Sequence, residues 1–137
     1  MNINHLNIKN QFNLNKSSNW LDVRGIENSH QLSDQYEDIC KKHEINKKWI
    51  LMINPENQSL ATLSKSQNID ISKILKVNTN KTKIDMKNIE FALGNGNCAA
   101  VILCNPSLKD EELAQLHYFA EKGQTACIVL KNQQQLH

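Results

Sequence analysis

Seven consecutive apolar residues, Cys98-Ala-Ala-Val-Ile-Leu-Cys104, constrain the fold of this chain more than any other feature. A strand with one face in water alternates apolar and polar side chains, whereas one with no polar position must be covered on both faces. The run falls far short of the about 18 apolar residues that a membrane span needs. It is therefore expected at the centre of a sheet, with helices packed on either side. Trp49-Ile-Leu-Met-Ile53 and Thr125 to Leu130 read as two further strands of the same kind.

Helical periodicity fills the gaps between these runs. Leu32, Tyr36, Ile39 and His43 recur at helical spacing, which predicts a helix over Ser33–His43 with Leu32 at its start. Pro55 and Asn57 open a second helix through about Gln67, with Leu60 and Leu63 on one side and Asn68 closing it. Thr82-x-x-Asp85 resembles a capping box ahead of a helix that turns Met86, Ile89 and Leu93 inward and stops at Gly94. Ser107-x-x-Asp110 opens a fourth helix with acidic Asp110, Glu111 and Glu112 in its first turn, which complements the helix dipole. Leu113, Leu116 and Ala120 form its inner stripe, and Gly123 is its expected end.

Shorter strands are expected at Trp20–Ile26 and within Ile71–Val77, the latter regular from Ile74. Strands alternating with helices of this length mean βαβ units, hence a mainly parallel sheet in a three-layer α/β domain. At 137 residues there is material for one domain. Residues 1–19, rich in Asn, read as a flexible arm, and 20–137 as the domain, with a polar tail from Lys131 to His137. No basic-then-apolar leader stands at the N-terminus, which predicts a cytoplasmic protein.

Four cysteines, Cys40, Cys98, Cys104 and Cys127, show no Cys-x-x-Cys spacing, and three adjoin apolar runs. They read as small buried hydrophobes rather than as disulfide partners or zinc ligands. The net charge of +2 is unevenly spread. Residues 1–46 hold five basic and six acidic groups, residues 47–91 eight and four, and residues 92–137 three and four. The middle third thus offers a lysine-rich face, either solvated surface or a docking face for an acidic partner.

The loop after Ile53, Asn54-Pro-Glu-Asn-Gln-Ser59, contains no glycine and no Gly-Lys-Ser/Thr. A loop that cradles nucleotide phosphates needs glycines so that backbone N–H groups can close on the anion, and a lysine for charge. Gly94-Asn-Gly-Asn97 follows a helix instead of preceding one, so it reads as a cap and tight turn. No nucleotide or other cofactor is implied. There is no Gly-x-Ser-x-Gly elbow, and a Cys104–His117 pair would lack an orienting third group. Glu111 and Glu112 are explained by helix capping, and residues 50–90 lack the aromatics that stack nucleic-acid bases. The expectation is a binding protein, not an enzyme.

Lys48-Trp49, Ile53-Asn54-Pro55 and Ile71-x-Lys73 resemble the middle of the SulA-type bacterial cell-division inhibitors. Ala92-Leu93-x-x-Gly96-Asn97 and Leu108-x-x-Glu111-Glu112-x-Ala114-x-Leu116, ending in Gly123, extend the likeness over about residues 47–130. The resemblance implies a RecA-like domain without a phosphate loop. It implies a protein made in the SOS response to DNA damage, which binds the tubulin-like GTPase FtsZ, blocks its polymerisation and so delays septation. Carried onto this chain, the FtsZ-binding positions are Lys48, Lys73 and Leu63, the last an aromatic in the family. Members end in Tyr-His read by Lon protease; here only the final His137 matches. The family also implies homodimers. A similar likeness to the ImuA group, RecA-like accessory proteins of the damage response, implies instead a function without FtsZ.

Overall fold

In the computed structural model, which describes residues 20–65, 69–79 and 85–132, the Cys98–Cys104 run is a strand buried at all seven positions. It is β4 of a five-stranded, wholly parallel sheet in the order β1-β5-β4-β2-β3. The strands are β1 (Leu21–Ile26), β2 (Trp49–Ile53), β3 (Ile74–Val77), β4 (Cys98–Cys104) and β5 (Ala126–Asn132). Among the described residues four helices cover it: α1 (Ser29–His43), α2 (Asn57–Ser64), α3 (Met86–Gly94) and α4 (Asp110–Gly123). This is the α/β three-layer arrangement that the apolar runs predict.

The pleat divides the core in two. Ala100, Ile102 and Cys104 of β4 join Ile50, Met52, Ile128 and Leu130 beneath α1 and α2, where Tyr36, Ile39, Cys40 and Leu63 fill the layer. Val101 and Leu103 join Ile53, Cys127 and Val129 beneath α3 and α4, packed by Ile89, Leu93, Leu116 and Ala120. Two dry layers on one central strand leave β4 no solvent face, which is why its sequence carries no polar residue.

Several helix ends differ from expectation. Helix α1 begins a turn earlier, because Asn28 accepts a hydrogen bond from the Gln31 N–H and caps it. Asp85 itself caps α3 by accepting from the Lys87 N–H; Thr82 lies outside the described residues, as do Gln67, Asn68, the arm 1–19 and the tail from 133. In α4 the cap position is Lys109, whose N–H donates to Glu112 Oε1, rather than Ser107. Residues 71–73 form a 3-10 turn ahead of β3, with the Asp70 side chain accepting from the Ser72 N–H. Strand β5 continues through Lys131 and Asn132, beyond the expected end at Leu130.

The two helix-ending glycines do another job. Neither supplies the left-handed residue; after α4 that is Gln124, at φ 51°. A Cβ on Gly123 would stand 1.8 Å from the Leu93 carbonyl oxygen, and one on Gly94 3.3 Å from a ring carbon of Phe119. These glycines let the C-terminal turns of α3 and α4 touch backbone to backbone. Thr125, fully buried, closes the junction: its hydroxyl donates to Cys98 O at 3.0 Å and its N–H to Ala120 O at 2.9 Å.

Candidate protein-docking site

In open parallel sheets ligands usually bind beyond the carboxyl ends of the strands, where neighbouring connections diverge. Here that point lies between β2, continuing into α2 on one face, and β4, continuing into α4 on the other. Both strands end in the same dipeptide, Asn54-Pro55 and Asn105-Pro106. Both asparagines are left-handed, at φ 56° and 50°, a conformation their short side chains tolerate. Asn54 donates its N–H to Val77 O and brackets Thr79, accepting from the Thr79 N–H at 2.7 Å and donating to its hydroxyl at 2.9 Å. Asn105 donates its N–H to Leu130 O and accepts from the Asn132 N–H at 2.6 Å. Each Asn thus ties its strand end to the neighbouring strand.

That geometry spends the donors that a phosphate cradle would use. The Asn54 N–H is bonded, Pro55 has none, and the Glu56 N–H donates to Tyr36 Oη at 3.3 Å. The Glu56 carboxylate also stands in the loop, accepting from the Ser59 hydroxyl at 2.9 Å. An incoming polyphosphate would meet the Glu56 carboxylate and would find the Asn54 and Glu56 N–H groups already paired.

Cys104, at the end of β4, sits 3.2 Å from Tyr36 Oη beneath α1. Burial pushes its thiol up to about 11, and the nearby Glu56 adds to this while the Tyr36 hydrogen bond opposes it. Burial, then the neighbouring thiol, raises the Tyr36 phenol well above its ordinary range. His117 rides on α4, whose inner residues Leu116 and Ala120 belong to the opposite layer. The sheet separates the two, so they form no Cys–His pair. All four cysteines are buried; burial raises Cys98, despite the opposing charge of Lys48, lifts Cys40 to about 11, with Glu44 adding, and lifts Cys127 to about 12. A thiol kept protonated in this way is a poor nucleophile and metal ligand.

The lysines gather at the other, amino-terminal rim. Lys47, left-handed at φ 56°, donates its N–H to Glu44 O and ends a 3-10 turn (Glu44–Asn46), throwing the chain into β2. Lys48 follows, exposed. The parallel pairing of β2 with β3 brings Lys73 to the same rim, where its Nζ lies 4.6 Å from the centre of the Trp49 ring, within cation–π range. Lys47, Lys48 and Lys73 share the wall of a pocket of about 290 Å³ with Glu44 and Asp70, over a floor of Cys40, Ile50 and Ile69. Hydrogen bonds from Ser72, and then the charge of Lys73, hold the Asp70 carboxyl below its usual range.

Of the three positions carried over by resemblance, Lys48 and Lys73 therefore converge. Leu63 does not: it is 3% exposed, packed in the layer beneath α1 and α2. The expectation that it touches a partner does not fit this burial, because α2 packs against α1 and turns Leu63 into the core layer that also holds Met52 and Ile102. The terminal His137 lies outside the described residues. Trp49, which sequence reasoning did not place at the site, is part-exposed on this rim beneath Lys73; its place beside Lys48 was a signal for it in the sequence.

The fold and rim define a parallel α/β protein with a basic, apolar-floored edge. A solved structure of this shape is SulA from Pseudomonas aeruginosa, which matches with a TM-score of 0.68 at 14% identity over 82% of this chain and 97% of that one. The likeness establishes the three-layer fold. No family model matches the sequence, and no curated protein matches it. Among the described residues no helix is long and apolar enough to cross a membrane.

Proposed function

We propose that this chain is a SulA-like cell-division inhibitor that binds FtsZ and prevents a subunit from joining its filament, delaying septation after DNA damage. The observation that carries the reading is the convergence of Lys48, Lys73 and Trp49 on one rim of a SulA-like fold. The protein works by occupying its partner's surface, with no turnover and no cofactor of its own, in the cytoplasm. Removal by Lon and pairing with a second copy belong to the same reading.

Sedimentation of polymerising FtsZ with an equimolar amount of the protein is the test. Pelleting should fall, and Lys48→Glu should restore it, since reversing a charge at the rim turns attraction into repulsion. Undiminished pelleting at saturating protein would rule the reading out. Capture of RecA filaments without any effect on FtsZ would point to the ImuA-like alternative.

A further inference from the structure

With Leu63 buried, the apolar part of the docking surface has to come from other residues. Among the described residues the exposed large apolar side chains are Val23, Ile45, Trp49, Ile71, Leu75, Val77, Phe91 and Tyr118. Five of these eight lie between residues 45 and 77, within or beside the lysine-rich third of the chain. Among the described residues strand β3 is an edge of the sheet, paired only with β2. Leu75 and Val77 face the side of the sheet on which their register partners Leu51 and Ile53 pack. On that side α3 packs on β4, and α4 on β5 and β1. No described element covers the two side chains, which remain 43% and 42% exposed. Trp49, 37% exposed, opens the adjacent strand with Lys73 stacked over its ring.

We infer that one docking surface wraps the β3 edge of the sheet, with Leu75, Val77 and Trp49 on the α3/α4 side and the pocket of Lys48 and Lys73 on the α1/α2 side, fitted to a protein partner that presents an apolar centre flanked by carboxylates. The inference rests on the FtsZ reading of the same rim and names the partner chemistry it requires. The charge argues for such a partner. Among the described residues the ion pairs within 4 Å join Arg24, His30 and Lys41 to acids of β1 and α1, and none involves Lys47, Lys48 or Lys73. Apolar contact at Leu75 and Val77 would exclude water, and lysine–carboxylate pairs strengthen as the local dielectric falls. The four-residue length of β3 and its exposed Lys76 disfavour extension of the sheet by a long added strand, so side chains carry the contact.

The test combines Leu75→Ser/Val77→Ser with hydrogen exchange. The double variant should melt with the unaltered protein, because both side chains are exposed, yet need at least tenfold more protein to reduce FtsZ pelleting. Adding FtsZ to the unaltered protein should slow amide exchange across residues 74–77. Should the double variant fold poorly, Val77→Thr, which keeps the shape and exchanges one methyl for a hydroxyl, is read in its place and should lose inhibition in the same direction. Full inhibition by the variant, with the unaltered protein active, overturns this inference and leaves the FtsZ reading intact. The same holds if the substitutions abolish only self-association or binding to anionic vesicles. An unaltered protein with no effect on FtsZ overturns both.

Discussion

Gly123 illustrates how a residue chosen for one reason from sequence is held for another in the fold. Glycine after an apolar helical stripe suggests a left-handed cap, since only glycine reaches that conformation without a Cβ penalty. The structure gives that conformation to Gln124 and uses Gly123 for contact, with Leu93 O where a Cβ would be. Alanine at 123 would drive α4 from α3, and the atoms in the way are backbone, which cannot rotate aside. Gly123→Ala should cost about 3 kcal/mol or somewhat more, read as a lower midpoint in urea denaturation. Gly94→Ala meets only the Phe119 ring and should cost distinctly less.

Among the elements, the two Asn-Pro turns matter most to the shape of the sheet's carboxyl edge. A residue before proline normally stays extended, and Asn54 and Asn105 depart from this because their side chains bond across to the ends of β3 and β5. Replacing Asn54 by alanine removes both bonds to Thr79, each worth about 1 kcal/mol, and leaves a Cβ at positive φ, a further ~1 kcal/mol. Asn54→Gly loses the bonds but not the backbone freedom. Thermal melts should therefore rank the natural protein above Asn54→Gly, and Asn54→Gly above Asn54→Ala; equal loss in the two variants would remove strain from the account.

For the molecule as a whole, the proposed function puts stability and docking on different residues. Leu63 anchors α2 to the core, so Leu63→Ala should cost about 2–5 kcal/mol, a large part of the about 5–15 kcal/mol that holds a domain of this kind together. Inhibition of FtsZ per folded molecule, measured well below the melting temperature, should be unchanged. Lys48→Glu should show the reverse, a normal melt with lost inhibition. If Leu63→Ala weakened inhibition while remaining folded, the side chain would reach the partner through a rearrangement of α2.

The sequence by itself determined the layers. An unbroken apolar run at 98–104 has one physical solution in water, a strand covered on both faces, and the helical stripes between the runs supply the cover. Lys48 and Lys73 were singled out by the resemblance to the SulA-type inhibitors, each lying just before a strand. Only the tertiary structure decided that parallel pairing of β2 with β3 sets them on one rim, that the sheet stands between Cys104 and His117, and that Leu63 points inward while Leu75 and Val77 do not. Periodicity reports which residues share a face of their own element; which face meets a neighbour depends on strand order and helix placement, and these arise from contacts between residues far apart in the chain.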